Sequence, residues 1–334
     1  MTFEARVRAV AAKHFTERQA RFLVTVMLHS GVCMVRQYCA FGGMVYGQVA
    51  RDFFARLMSE KLATAFDCAH KRARIYHLHH RALYEAIGEP HTRLRKPVTL
   101  GRAVERVMVL DAVLASRDLT WLATEREKVE HFSLRLGSTL SRSEFPHLTF
   151  GAGRHTTRRY FPDRFPIGVD ADGRRHVFLY LVTREAPVDF RAFLQRHAEL
   201  FRALPEWTVR ILVPTHLASA GAAHAAACEQ ELARPLRSVV VEELRWYFEE
   251  HRRLGTGQRH RATDDATRYA RSRQAFRAPR YRALYRHWTR VGEGALDTLT
   301  SPVLADAVQR GRGRIECHPL PRPYLHLSSL VGTA

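Results

Sequence analysis

Residues 35–74 read VRQYCAFGGMVYGQVARDFFARLMSEKLATAFDCAHKRAR, and three kinds of signal follow one another along them. Residues 35–41 form a short helical stretch that stops at Gly42-Gly43, a pair free to take a tight left-handed turn. Residues 45–62 repeat at helical period, with Val49, Phe53 and Leu57 on one face and Gln48, Arg51, Asp52, Ala55 and Arg56 turned away from it. Residues 63–67 and 75–79 then alternate as strands do, and the turn between them carries Lys71, Arg72 and Arg74.

The flanks extend the pattern. Thr16-Glu17-Arg18-Gln19 places a hydroxyl and an amide three residues apart, the reciprocal cap that starts a helix. Phe22, Leu23, Val26 and Met27 continue it to Ser30-Gly31, where glycine can close the C-terminus. Residues 81–87 supply a closing helix and residues 88–97, with their Pro and Arg, a linker. Three helices followed by a basic hairpin predict a winged helix-turn-helix over residues 14–90. The last of the three helices would anchor by its apolar face and offer Arg and Gln, the readers of guanine and adenine, to base edges. Tyr46, Gln48, Arg51 and Arg56 are therefore expected on DNA bases, with Lys71, Arg72 and Arg74 on the backbone beside the groove. Cys68, His70, His77, His79 and His80 fall close together, but a metal needs three or four convergent ligands, so they are read as wing residues near phosphates.

Charge agrees with a nucleic-acid partner through its distribution. Of a formal net charge of +20, residues 1–98 hold 16 Lys/Arg against 7 Asp/Glu, residues 99–250 hold 21 against 20, and residues 251–334 hold 16 against 6. The excess therefore lies at the two ends, as phosphate-binding surfaces there would produce. Only five basic residues are Lys; a compositional bias would explain that choice of Arg, but not the excess of base over acid. A chain of 334 residues has room for two or three packed units. Five scattered cysteines without a CxxC pair read as reduced thiols, and with no apolar run long enough to span a bilayer the expected location is the cytoplasm.

The middle of the chain, residues 98–235, reads as helix, several strands, helix, strand. The nearly unbroken apolar run at 176–182 suggests a sheet covered on both faces. Pro162-Asp163 ahead of a hairpin is the layout of restriction-endonuclease-like nucleases, which place an acid there and an acid-x-Lys pair on the next strand to hold a divalent metal. Here that strand reads Phe178-Leu179-Tyr180-Leu181-Val182-Thr183, without acid or lysine. Unless Glu125, Glu127 or Lys128 substitutes from another strand, no catalytic residue, metal or cofactor is expected, and Asp163 is read as a turn residue.

Val107-Met108-Val109-Leu110-Asp111, then Thr120-Trp121-Leu122-Ala123-Thr124-Glu125, Phe161-Pro162-Asp163 and a hairpin ending at Val182-Thr183 follow the N-terminal pattern. Together, over residues 14–215, they resemble the replication-relaxation family of mobile-element proteins. The resemblance implies a winged helix joined to a degenerate nuclease-like fold, in a setting of plasmid replication and DNA relaxation. It also implies an acid on the late strand where this chain has Tyr180 or Val182.

Residues 236–334 read as a helical, Arg-rich segment. Residues 269–290 interleave arginines with aromatics; Tyr281, Leu284, Tyr285 and Trp288 form an apolar stripe, and Arg273, Arg277 and Arg280 are candidates for a second phosphate contact. His251 and Tyr285 lack the ordered partners of a tyrosine recombinase, and residues 325–330 suggest a short strand. The expectation is thus an α/β (α+β overall) chain that binds double-stranded DNA in a sequence-selective way without catalysis of its own. A homodimer and a recombinase or replication protein are the candidate partners. The alternatives are a metal-dependent nuclease or nicking accessory and a protein-binding assembly adaptor.

Overall fold

Thr16 caps a helix as its spacing to Gln19 predicts: its hydroxyl accepts from the Gln19 amide at 3.3 Å, and the Gln19 side chain accepts from the Thr16 amide at 3.0 Å. The computed structural model describes residues 1–334 apart from 72, 152–155, 234–237, 261, 300–301 and 329–334. Its first part runs α1 (Phe3–Ala11), α2 (Glu17–His29), β1 (Val32–Cys33), α3 (Val35–Gly42), α4 (Gln48–Ser59), β2 (Ala63–Asp67), β3 (Arg74–Leu78) and α5 (Arg81–Ala86). The strands pair antiparallel in the order β1-β3-β2. Both glycine stops are used, with Gly31 after α2 at φ 68° and Gly43 capping α3 at φ 61°.

Helix α4 is shorter than its periodicity suggests and is rotated relative to the expected face. Extended backbone at Gly47 delays its start to Gln48. The buried stripe is Ala50, Phe53, Phe54 and Leu57, at i, i+3, i+4 and i+7, while Val49 is 56% exposed. An aromatic cluster fixes that rotation, since Phe53 meets Tyr38 and Phe54 meets Tyr76 at ring-centroid distances of 4.5 Å.

The residues read as a linker are docked instead. A Cβ on Gly31 would stand 2.5 Å from the Leu94 carbonyl oxygen, so glycine permits the close approach there, and the His77 ring meets the same oxygen at 2.9 Å. His77 is buried, which removes it from the phosphate-facing set.

Then follow α6 (Leu100–Ala115), β4 (Thr120–Leu122), α7 (Glu125–Leu136), β5 (His147–Phe150), β6 (Thr157–Tyr160), β7 (Ile167–Val169), β8 (Arg175–Leu181), α8 (Val188–Ala203), β9 (Glu206–Val213) and α9 (Ala220–Cys228), which runs into a π-helical turn, Glu229–Ala233. A mixed sheet orders as β10-β9-β8-β7-β4, where β10 is Gly313–Pro319. Strands β8, β9 and β10 are parallel, and β7 runs antiparallel to both of its neighbours.

Side chains of β8 alternate between two cores: Val177, Leu179 and Leu181 face α6, and Phe178 and Tyr180 face α8. Helix α6 also packs on the first unit, where Gln37 donates to the Val107 carbonyl and Arg36 pairs with Asp111 at 2.6 Å. The fold is therefore mixed α/β, with α6 as the shared wall.

The last hundred residues divide between two places. Helices α10 (Ser238–Gly255), α11 (Thr263–Ala275), α12 (Pro279–Val291) and α13 (Gly294–Leu299) share a core of Leu244, Phe248, Leu284, Trp288 and Leu296. Helix α14 (Pro302–Gln309) and β10 instead complete the sheet unit, where β10 lies in register beside β9. Beyond β10 the chain returns to the hairpin: the amides of Ala69 and His70 donate to the carbonyls of Leu327 and His326 at 3.1 and 2.9 Å, and the Tyr324 hydroxyl donates to Asp111 at 2.6 Å. Residues 325–328 form a turn and its exit rather than a strand, and 329–330 lie outside the described residues. Among the described residues no helix is long and apolar enough to cross a membrane.

Candidate nucleic-acid interface

The structure sorts the expected contact residues by what each already touches. Tyr46 is 63% exposed in the turn before α4. Gln48 and Arg51 lie exposed on the outward side of α4; Gln48 donates to Asp52 one turn on, and among the described residues no carboxylate pairs with Arg51. With Val49 also outward, this side offers an amide, a guanidinium and a methyl-bearing side chain over its first turn.

Arg56 is turned the other way. It pairs with Glu60 at 2.7 Å, donates to the carbonyls of His14 and Lys13 at 2.6 and 3.2 Å, and stacks 4.4 Å from the Phe15 ring centroid. Its guanidinium ties α4 to the α1–α2 turn.

Lys71 is exposed at the β2–β3 tip, and Arg74 opens β3 opposite Asp67. Arg72 lies outside the described residues. On the C-terminal helices Arg273 and Arg277 are exposed, whereas Arg280 points inward, 3.4 Å from the fully buried Glu231. Glu231 also holds Arg191, and burial keeps its carboxyl above the usual carboxylate range despite both guanidiniums.

Asp163 sits in the turn before β7 and faces cations. Arg196 of α8 grips both of its carboxylate oxygens, and Lys128 lies close enough to feel its charge. Lys128 reaches this place from α7 rather than from a strand; it donates to the Phe165 carbonyl at 2.7 Å, and burial lowers its ammonium to about 8. Glu127 is committed elsewhere, accepting from the Ala123 and Thr124 amides and from Arg6, and Glu125 accepts from the Tyr160 amide at 2.8 Å. On β8 the positions facing this end are Tyr180, Leu181 and, just beyond, Thr183.

A guanidinium thus stands where a metal-dependent site would need its cation, with one carboxylate in place of two. Among the described residues no group of three or more His, Cys, Asp or Glu is placed to hold a metal.

Above Asp163 opens a cleft of about 670 Å³, walled by α6, the 163–165 turn, α8 and α12. It was not anticipated, because Arg106, Arg164, Arg196 and Arg290 are far apart in the chain. Only the tertiary fold gathers them. Helix α7 was missed as well, although Thr124-Glu125-Arg126-Glu127 repeats the capping spacing that identified α2 and the cap forms in the structure. No family model, curated protein or solved structure matches this chain.

Proposed function

We propose that the chain is a sequence-selective, double-stranded DNA-binding protein without catalysis of its own, acting in a transaction of mobile DNA as the family resemblance implies. The observation that carries this reading is the first unit: α2, β1, α3 and α4 followed by the β2–β3 hairpin, in the strand order β1-β3-β2, with one side of α4 left uncovered. That order is the plan of a winged helix, whose second helix of the helix-turn-helix enters the major groove while the hairpin lies on the backbone. Gln48 and Arg51 suit adenine and guanine edges, exposed Val49 suits a thymine methyl, and Lys71 suits a phosphate.

The second unit supports the absence of catalysis. In its order α6, β4, α7, β5, β6, β7, β8, α8, β9, Asp163 stands at the turn before β7, the place where a nuclease-like layout needs its first acid. Arg196 neutralises the one acid of that layout, and β8 carries none.

Selection of bound genomic fragments with the full chain supplies the target duplex. Gln48→Ala combined with Arg51→Ala is expected to weaken binding to that duplex by about 1–3 kcal/mol per lost base contact, with little change on unrelated duplex. Lys71→Ala is expected to weaken both alike and to flatten the salt dependence. Equal binding of selected and unrelated duplex by the wild-type chain would overturn the assignment. Cleavage of supercoiled plasmid in magnesium or manganese that disappears in Asp163→Ala would replace it with the nuclease alternative.

A further inference from the structure

We infer that the arginine-lined furrow over Asp163 binds the phosphodiester backbone of a single DNA strand, a site separate from the duplex-reading side of α4. The 670 Å³ cleft is not isolated. A second depression of about 350 Å³ shares His29, Leu94 and Arg164 with it, so the two run together past Arg164.

The acids of this furrow are already committed. Glu105 pairs with Arg102 at 2.6 Å, Asp163 with Arg196, and Asp189 with Arg184 and Arg286 at 3.7 and 3.6 Å, while in the second depression Glu89 faces Arg6 and Glu125 faces Arg159, each at 3.9 Å. Four guanidiniums remain without a carboxylate among the described residues: Arg93, Arg106, which makes a 3.5 Å contact to the Leu94 carbonyl, Arg164 and Arg290. They stand among cations. Burial and then the charges of Arg159, Arg93 and Arg106 hold the Arg164 guanidinium below its ordinary value, and burial, Arg196 and Arg286 do the same to Arg290. Such crowding of like charge is relieved by an anion with several charges spaced along it.

Shape and position narrow the ligand. Two joined depressions with cations in both suit a polymer of phosphates better than one phosphate, and a cleft with the capacity of a small-ligand site admits one strand rather than a duplex. Of the phenyl and phenol rings in its walls, Phe161 and Tyr180 are 4% and 8% exposed and Phe165 is half-buried, so the walls offer no series of open faces on which successive bases could stack. Grip on the backbone, tolerant of sequence, is the stronger contact. Leu181 and Thr183 place the furrow at the carboxyl end of the parallel strand β8, where open α/β sheets hold their ligands.

The test uses the full chain and a labelled oligothymidylate of about twenty nucleotides, read by fluorescence anisotropy over a salt series. Arg164→Ala with Arg290→Ala is expected to weaken binding about tenfold or more and to reduce the salt slope. Gln48→Ala with Arg51→Ala is expected to bind the oligonucleotide as wild type does, which separates this site from the α4 reading. Single Arg290→Ala, at an exposed position on α12, with an unchanged thermal melt guards against loss of fold and is expected to show an intermediate effect. Unchanged affinity of the folded Arg164/Arg290 variants would overturn the inference, as would displacement by pyrophosphate at equal phosphate concentration or a loss confined to the α4 variant.

Discussion

On α4, Arg51 stands in solvent with no carboxylate to meet it among the described residues, whereas around the sheet unit Arg196 closes on Asp163, and Arg191 with Arg280 of α12 closes on Glu231. The residue type is the same and the work is opposite. In the first unit a guanidinium left free can exchange water for a base edge. In the second, guanidiniums neutralise acids that burial would otherwise penalise, and the fold depends on them. Net charge cannot separate these uses, since each arginine counts as +1 wherever it points. The number of buried carboxylates within reach decides, and only tertiary structure sets that number.

The contrast can be broken first at Glu231. Its side chain is fully buried between Arg191 and Arg280, so Glu231→Ala removes a carboxylate that both guanidiniums share in a dry place. A loss of about 3–5 kcal/mol is expected in urea unfolding at neutral pH. A loss under about 1 kcal/mol would mean that the guanidiniums reach water, and the distinction between buried and free arginines would lapse.

A sharper version compares Arg56 and Arg51, five residues apart on one helix. Arg56→Ala removes bonds to two carbonyls, an ion pair and a ring contact, and is expected to lower stability by about 2 kcal/mol. Its target-duplex affinity should remain that of wild type once the fraction folded is accounted for. Arg51→Ala should do the reverse, leaving stability within about 0.5 kcal/mol while weakening the target duplex. Paired unfolding and binding titrations read both, and a stability loss at Arg51 equal to that at Arg56 would place the two in the same class.

Arg56 also marks where the sequence stops being legible. The existence and order of α2, α3, α4, β2 and β3 follow from caps, glycine stops and alternation, all of them local signals. The facing of α4 did not: Val49, Phe53, Leu57 and Ala50, Phe53, Phe54, Leu57 are both acceptable apolar stripes, and the choice rests on Tyr38 and Tyr76, which approach from other elements. β10 was invisible for the related reason that it pairs directly with β9, yet its residues lie 106 positions later in the chain than their partners, as Gly313 opposite Trp207 shows. The site at Asp163 was half legible. The turn and its acid were readable, while Arg196 and the furrow depend on contacts across three elements.

Thr16→Ala tests the most local of these signals and carries the smallest expected effect. The cap satisfies the Gln19 amide through a side chain, and the reciprocal bond to the Thr16 amide comes from Gln19 itself. Removing the hydroxyl breaks one of the two and leaves the rest of α2 packed through Phe22, Leu23 and Val26, which are buried whatever happens at the N-terminus. The expected cost is about 1 kcal/mol in unfolding, with no change in duplex affinity, because Thr16 lies on neither the outward side of α4 nor the hairpin tip. Thr16→Ser, which keeps the oxygen, should restore most of the loss. If serine fails to rescue it, the threonine methyl rather than its hydroxyl holds the start of α2, and the reciprocal cap loses its energetic role.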